Sequence, residues 1–276
     1  MKVSLIVTTY NWPEALKLVL KSALNQDYQN YEIIIADDGS DEKTTSCIEE
    51  FTKVSNVVIK HAWHEDLGFR AAQIRNKAVS ISNGEYLIFI DGDCILPHSF
   101  IKDHVHLSQP GFFVPGSRLK LSKDYTDQLI SNSVPHNFQR EEIVKLWLKR
   151  KIKRVHPIFR MPANSSFRFQ RKNKWQGAVT CNLSLWRKDF FDINGFNNDF
   201  IGWGLEDSDL VIRLMNNNIY RKDGKFYSYV MHLHHKEVSR LNESENYAKF
   251  QLSLEKRTTC CTSGVNDMAK ERNELI

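Results

Sequence analysis

The sequence predicts an α/β fold, a mostly parallel central sheet flanked by helices, on three observations. Over about the first hundred residues, short β-branched apolar runs alternate with stretches whose apolar residues recur at three- and four-residue spacing. The runs are apolar at nearly every position rather than at every second one, as in strands buried on both faces. Polar clusters follow three of the four runs, outside the carboxyl ends of the strands, where open parallel sheets bind their ligands.

The elements follow in order. Residues 3–9 form the first strand, and 13–25 a helix with Leu16, Leu20 and Leu24 on one face and Pro13 at an early helical position. Residues 32–36 form the second strand, 41–53 a helix, 57–59 the third strand, 69–82 a helix and 86–90 the fourth strand. Strands and helices in this alternation build right-handed crossover units of a nucleotide-binding type. Residues 1–110 read as a nucleotide-binding half, and the pattern changes over 111–276, within a single domain.

Composition excludes several classes. With 41% hydrophobic and 26% charged residues among 276, the chain is neither disordered nor collagen-like. Five cysteines (Cys47, Cys94, Cys181, Cys260, Cys261) show no zinc-ligand spacing, which suits free thiols in a reducing compartment. No window approaches the roughly 18–20 apolar residues of a membrane span, and the amino-terminal run is too short for a signal peptide, so a cytoplasmic location is expected. The net charge of +5 is unevenly placed: residues 140–174 carry twelve Lys or Arg against two Glu, interleaved with Ile143, Leu146, Trp147, Ile152, Val155 and Phe159. That pattern is either a solvated helix and loop, or a surface for an acidic acceptor or for peripheral contact with an anionic membrane at its inner face. No nucleic-acid recognition motif accompanies it, so nucleic acid is not an expected partner.

Four clusters carry chemistry. Asp91-Gly92-Asp93 ends a strongly apolar strand, and two carboxylates there call for a cation; oxygen ligands suit Mn2+ or Mg2+ bridging a diphosphate. Asp37-Asp38-Gly39-Ser40 is either a turn and helix cap or a carboxylate site for a base or ribose hydroxyl. Gly202-Trp203-Gly204-Leu205-Glu206-Asp207 places an apolar ring beside carboxylates, which suits a sugar platform and a general base, although acidic residues in a first helical turn also suit the helix dipole. In Met231-His232-Leu233-His234-His235, one histidine completes a cation site, and strand alternation puts His232 and His234 on one face; spacing does not choose between them. Neither a GxGxxG nor a GxxxxGK[ST] pattern follows the first strand.

In this order, Thr9-Tyr10-Asn11, Asp37-Asp38-Gly39-Ser40, Arg75-Asn76 and Asp91-Gly92-Asp93 resemble the donor half of glycosyltransferase family 2, inverting enzymes of the Rossmann-like GT-A fold. Residues 177–214 are similar to the acceptor-side segment of β-1,4-galactosyltransferases and chondroitin-polymerase-type transferases. The resemblance covers about residues 1–110 and 175–240, and leaves 111–174 unmatched. It implies a UDP-sugar donor, a glycan or lipid-linked saccharide acceptor and a role in surface polysaccharide biosynthesis. It implies that Asp37 or Asp38 contacts uracil or ribose, that Thr9, Tyr10, Asn11 and Arg75 line the nucleotide pocket, and that Asp91 lies at the ribose or behind the cation. Asp93 becomes the main cation ligand with His232 or His234, Trp203 the sugar platform, Glu206 a partner of a sugar hydroxyl and Asp207 the base. No second transferase unit or carboxy-terminal membrane helix is read in the sequence, so processive synthesis through a built-in channel is not expected. The alternatives are a retaining transferase or nucleotidyltransferase on the same sheet, and a non-catalytic saccharide- or membrane-binding protein.

Overall fold

The computed structural model describes residues 1–132, 138–236 and 242–268. The chain begins β1 (Val3–Thr9), α1 (Pro13–Leu24), β2 (Tyr31–Asp37), α2 (Glu42–Val54), β3 (Ile59–Trp63), α3 (Ala71–Ser80) and β4 (Tyr86–Asp91). It continues β5 (Cys94–Ile95), α4 (Phe100–Leu107), β6 (Phe112–Pro115), β7 (Ser117–Lys120), α5 (Lys123–Asn132) and α6 (Arg140–Leu148). The rest is β8 (Asn182–Trp186), α7 (Arg187–Asp192), α8 (Glu206–Asn216), β9 (Tyr220–Arg221), β10 (Tyr229–His232) and α9 (Glu243–Glu255).

The apolar runs become strands because the sheet buries both of their faces. β2 is buried along its whole length, and its neighbour β1 at all but one position. Side chains of β1 alternate between two cores, Leu5 sharing one with Leu16 and Leu20 of α1, and Ile6 the other with Ile74 of α3 and Leu210 and Leu214 of α8. Pro13 opens α1, and the Asp41 carboxylate caps α2 by accepting from the amides of Lys43 and Thr44. β3 departs from the expectation at 57–59: it runs Ile59–Trp63, with Val58 contributing only its carbonyl to the Ile33 amide. As the outer strand its first three residues are half-buried, so Lys60 and His61 are tolerated and no apolar run marks it.

The main sheet has the order β3-β2-β1-β4-β8-β6-β9. β1 to β4 are mutually parallel, while β8 enters antiparallel between β4 and β6. One sheet therefore draws strands from both halves of the chain. The connections leave β1 toward β2 on one side and reach β4 on the other, which opens a crevice at the carboxyl ends of β1 and β4. There Thr9 pairs with Asp37 and Thr8 with Asp91.

A small sheet, β5-β10-β7, stands beside this crevice. Its register sets His232 opposite Cys94, directly after the Asp91-Gly92-Asp93 turn. Behind it Ile143, Leu146 and Ile152 of the basic stretch pack with Leu119, Leu121, Met231 and Leu233 in a third core. Arg168 is fully buried and donates to the carbonyls of Pro162, Asp223, Lys225 and Met161, so this cation of the basic stretch is structural. All five cysteines are free. Among the described residues, no helix is long and apolar enough to cross a membrane.

Candidate active site

The Asp91-Gly92-Asp93 turn closes β4 against the end of β1. The Gly92 amide donates to the Thr8 carbonyl at 2.6 Å, and a Cβ on Gly92 would lie 3.0 Å from Thr8 O and from Thr9 Cβ. That close approach is why glycine separates the two carboxylates. Ligand atoms of Asp91, Asp93, Cys94 and His232 all fall within 4.8 Å of one another. His232 Nε2 is 3.7 Å from Asp93 Oδ1, and His235 Nε2 is 3.3 Å from Asp93 Oδ2. Each ring presents Nδ1 to a backbone carbonyl, His232 to Leu233 O at 2.8 Å and His235 to Lys236 O at 2.7 Å. With Nδ1–H donated there, the Nε2 lone pairs face Asp93, the arrangement by which outer hydrogen bonds orient metal-ligating imidazoles. These donors fit a divalent cation. Burial, then the neighbouring Asp93, push the Asp91 carboxyl above the usual carboxylate range against the pull of Arg75.

His234 is a correction to the alternation argument. β10 ends at His232, so the two-residue period stops before residue 234. His234 is exposed and its amide donates to Thr126 Oγ1, while the second imidazole beside Asp93 is that of His235. The run of three histidines in four positions was the signal for it; the face assignment failed because a strand rule was carried past the strand's end.

At the end of β2 the two aspartates are held by histidines that sequence reasoning did not single out. Asp37 is fully buried: Oδ1 accepts from the Ser40 amide at 2.8 Å and Oδ2 lies 2.9 Å from His61 Nε2. It shapes the turn from below, with both carboxylate oxygens engaged inside the protein. Asp38 is 4% exposed, with Oδ1 2.7 Å from His64 Nε2 and Oδ2 accepting from the Arg70 amide at 2.9 Å. Gly39 has φ +92°, and a Cβ there would stand 2.6 Å from the Asp66 backbone, so only glycine lets this turn meet the 66–68 loop. Tyr10, directly after β1, is 50% exposed and donates to Asp66 Oδ2. Buried Thr9 accepts from the Asp38 amide through its carbonyl, and Asn11 braces the turn through Ser40 Oγ and the Asp41 amide.

The start of α8 is tied to the Asp91 turn by one side chain. Arg75, only 4% exposed, donates from Nη1 to Glu206 Oε1 at 3.0 Å, from Nε to Thr8 Oγ1 at 3.0 Å and from Nη2 to Asp91 Oδ1 at 3.4 Å. It also lies over the Phe196 ring. Burial opposes its charge, but Glu206 and Asp91 outweigh burial and hold the guanidinium above its ordinary range. Arg75 thus cross-links the start of α8 to the Asp91 turn and to Thr8. Leu205 enters α8 with φ +71°, an uncommon conformation for leucine that turns Glu206 and Asp207 into the first turn. Asp207 is half-buried, and burial, followed by the charge of Glu206, pushes its carboxyl up to about 7 despite Arg75 and the amides of Ser208 and Thr180. Asp209, the next acid, is buried against Arg213 and Ser253 and belongs to the core. Trp203 is partly buried between two positive-φ glycines, its carbonyl held by Asn246.

Residues 4–190 match the family model described as glycosyl transferase family 2. The chain belongs to glycosyltransferase family 2. Residues 160–236 of this family 2 chain also match the model described as the N-terminal domain of galactosyltransferase. Among curated proteins it is 26% identical over 221 residues to a validoxylamine A glucosyltransferase of Streptomyces hygroscopicus, covering 76% of this chain and 50% of that one. It is 23% identical to chondroitin synthase of Escherichia coli, covering 91% of this chain and 37% of that protein. The chain therefore spans half or less of these two relatives. Its fold is the GT-A fold: a mannosyltransferase of Pyrobaculum calidifontis, solved with GDP-Man and Mn2+, superposes with a TM-score of 0.64 at 16% identity over 92% of this chain and 64% of that one. S. aureus TarS solved with UDP gives a TM-score of 0.61 at 16% identity over 92% of this chain and 65% of that one.

Proposed function

We propose that the protein transfers a hexosyl or N-acetylhexosaminyl group from a UDP-sugar to a hydroxyl of a glycan or lipid-linked saccharide, inverting the anomeric centre, in surface polysaccharide biosynthesis. The observation that carries this reading is the Arg75 cross-link, which sets the raised Asp207 carboxyl and Glu206 beside the Asp91-Gly92-Asp93 turn. Residues 1–110 would take the donor and 111–276 the acceptor. Tyr10 and Asp38, braced by Thr9 and Asn11, would meet the nucleotide, and the Trp203 ring would support a sugar. Asp93, His232 and His235, with Asp91 alongside, would hold Mn2+ or Mg2+, which when bound offsets charge on the departing diphosphate.

Asp207 takes the proton of the acceptor hydroxyl as that oxygen attacks the anomeric carbon and the bond to the UDP oxygen breaks. A carboxyl near 7 suits this step, since a base works best when its pKa lies near the operating pH. Glu206 has Oε1 engaged by Arg75, and its Oε2 would accept from a sugar hydroxyl. Holding the two substrates in line supplies much of the remaining rate.

The pH dependence of transfer tests this. Asp207 must be ionised, so kcat/KM climbs about tenfold per pH unit below its value of about 7 and levels above it. At pH 6 the rate stands about tenfold under the plateau, and NMR of the product shows the anomer opposite to the donor's. A rate independent of pH between about 5 and 9 removes Asp207 from the role of base.

A further inference from the structure

The transfer chemistry leaves one side of the basic stretch unused. α6 buries Ile143 and Leu146 in the third core and exposes Val144, Trp147 and Leu148 by 38%, 43% and 69%. These three stand at i, i+3 and i+4 and form one stripe along the helix. Residues 145–154 contain six Lys or Arg and no Asp or Glu. Lys145, Lys149, Arg150, Lys153 and Arg154 are exposed, and Lys151 is drawn to Asp124. The acids of α6, Glu141 and Glu142, sit in its first turn, at the opposite end from this cluster.

We propose that the carboxyl end of α6 and the turn after it dock on an anionic lipid surface, with Trp147 and Leu148 entering the interface and the surrounding cations facing headgroup phosphates. This goes beyond the transfer reaction and needs neither donor nor cation. Charge complementarity selects the occupant: clustered cations are attracted to an anionic leaflet, and a Trp-Leu tip among them gains by entering its apolar boundary. Duplex nucleic acid would satisfy the cations but offers no comparable place for the exposed Trp147-Leu148 pair. The inner face of α6 shares a core with Met231 and Leu233, so docking there places a membrane behind the small sheet that carries His232.

The test is co-sedimentation of the full chain with vesicles of phosphatidylcholine mixed with phosphatidylglycerol, against vesicles of phosphatidylcholine alone. Binding to the mixed vesicles alone is expected, weakening as salt rises from about 0.1 M to 1 M and the screening length shrinks. Lys149→Glu with Arg150→Glu lowers the bound fraction relative to free by about tenfold or more. Brominated lipid quenches tryptophan fluorescence in the wild type, and Trp147→Ser with Leu148→Ser removes that quenching. All four side chains are exposed, so thermal unfolding of the variants stays at the wild-type temperature. Equal binding to neutral vesicles, undiminished binding of the charge-reversed variant, or no vesicle binding overturns the proposal. Salt-sensitive binding to duplex DNA in the absence of vesicle binding replaces it with a nucleic-acid surface.

Discussion

Asp207→Asn lowers kcat by about 10²–10⁴ while leaving the KM for the nucleotide sugar close to wild type. The amide matches the carboxylate in shape but accepts no proton, so the interaction lost is one made only as the acceptor attacks. The same substitution raises thermal stability. Asp207 is pushed from 3.8 to about 7 in the folded protein, so the native state holds its proton more tightly than the unfolded chain does. Stability from this group is fully present below about pH 4 and is lost as pH rises through 7. At pH 8 the ionised carboxylate costs stability through burial and its repulsion with Glu206, and asparagine removes that cost. The variant is therefore expected to unfold at least about 2 °C higher at pH 8 and no higher at pH 4. Loss of activity with gain of stability marks a functional carboxylate; loss of both would mark a structural one.

Arg75→Met gives the largest expected loss of stability. Methionine keeps much of the volume but leaves Glu206 and Asp91, 12% and 33% exposed at their side chains, without the cation between them. Breaking a buried pair costs about 3–5 kcal/mol; the partial exposure of Asp91 puts the expected value near the lower end, about 3 kcal/mol. The first turn of α8 also loses its tie to the Asp91 turn, so transfer falls even in the fraction that stays folded. Arg75→Lys restores a charge but reaches one acceptor at a time, so it recovers stability in part and activity less. Urea unfolding measures the first effect and kcat/KM per folded molecule the second. A Met variant as stable as wild type would mean that the two carboxylates do not depend on Arg75.

What could be read in the sequence follows from how local each signal is. β1, β2 and β4 are legible because burial on both faces writes a continuous apolar run, and α1 because Leu16, Leu20 and Leu24 share one face. β3 is displaced because an outer strand admits Lys60 and His61. β8 carries no sign of its place, since its pairing with β4 joins residues about a hundred apart and runs antiparallel. The site shows the same division. Asp91, Asp93, Glu206 and Asp207 are legible from motif and strand end. The engagement of Asp37 by His61, of Asp38 by His64, and the passage of Arg75 to Glu206 across 131 positions are tertiary facts with no local mark. His235 carries a local mark in the histidine run, but the strand period ends with β10 at His232 and does not reach it.

The most direct test of the central claim, that the Asp91-Gly92-Asp93 turn and its imidazoles form a cation-dependent nucleotide site, is thermal unfolding with UDP, with and without Mn2+. A ligand bound only by the native state raises its unfolding temperature by mass action, by about 2.7 kcal/mol of stability at a concentration of 100 Kd. The account predicts a rise with UDP and Mn2+ together that neither produces alone, abolished in Asp93→Ala, reduced in His235→Ala and unchanged in His234→Ala. A rise with UDP that is the same without Mn2+, or that survives Asp93→Ala intact, would contradict it.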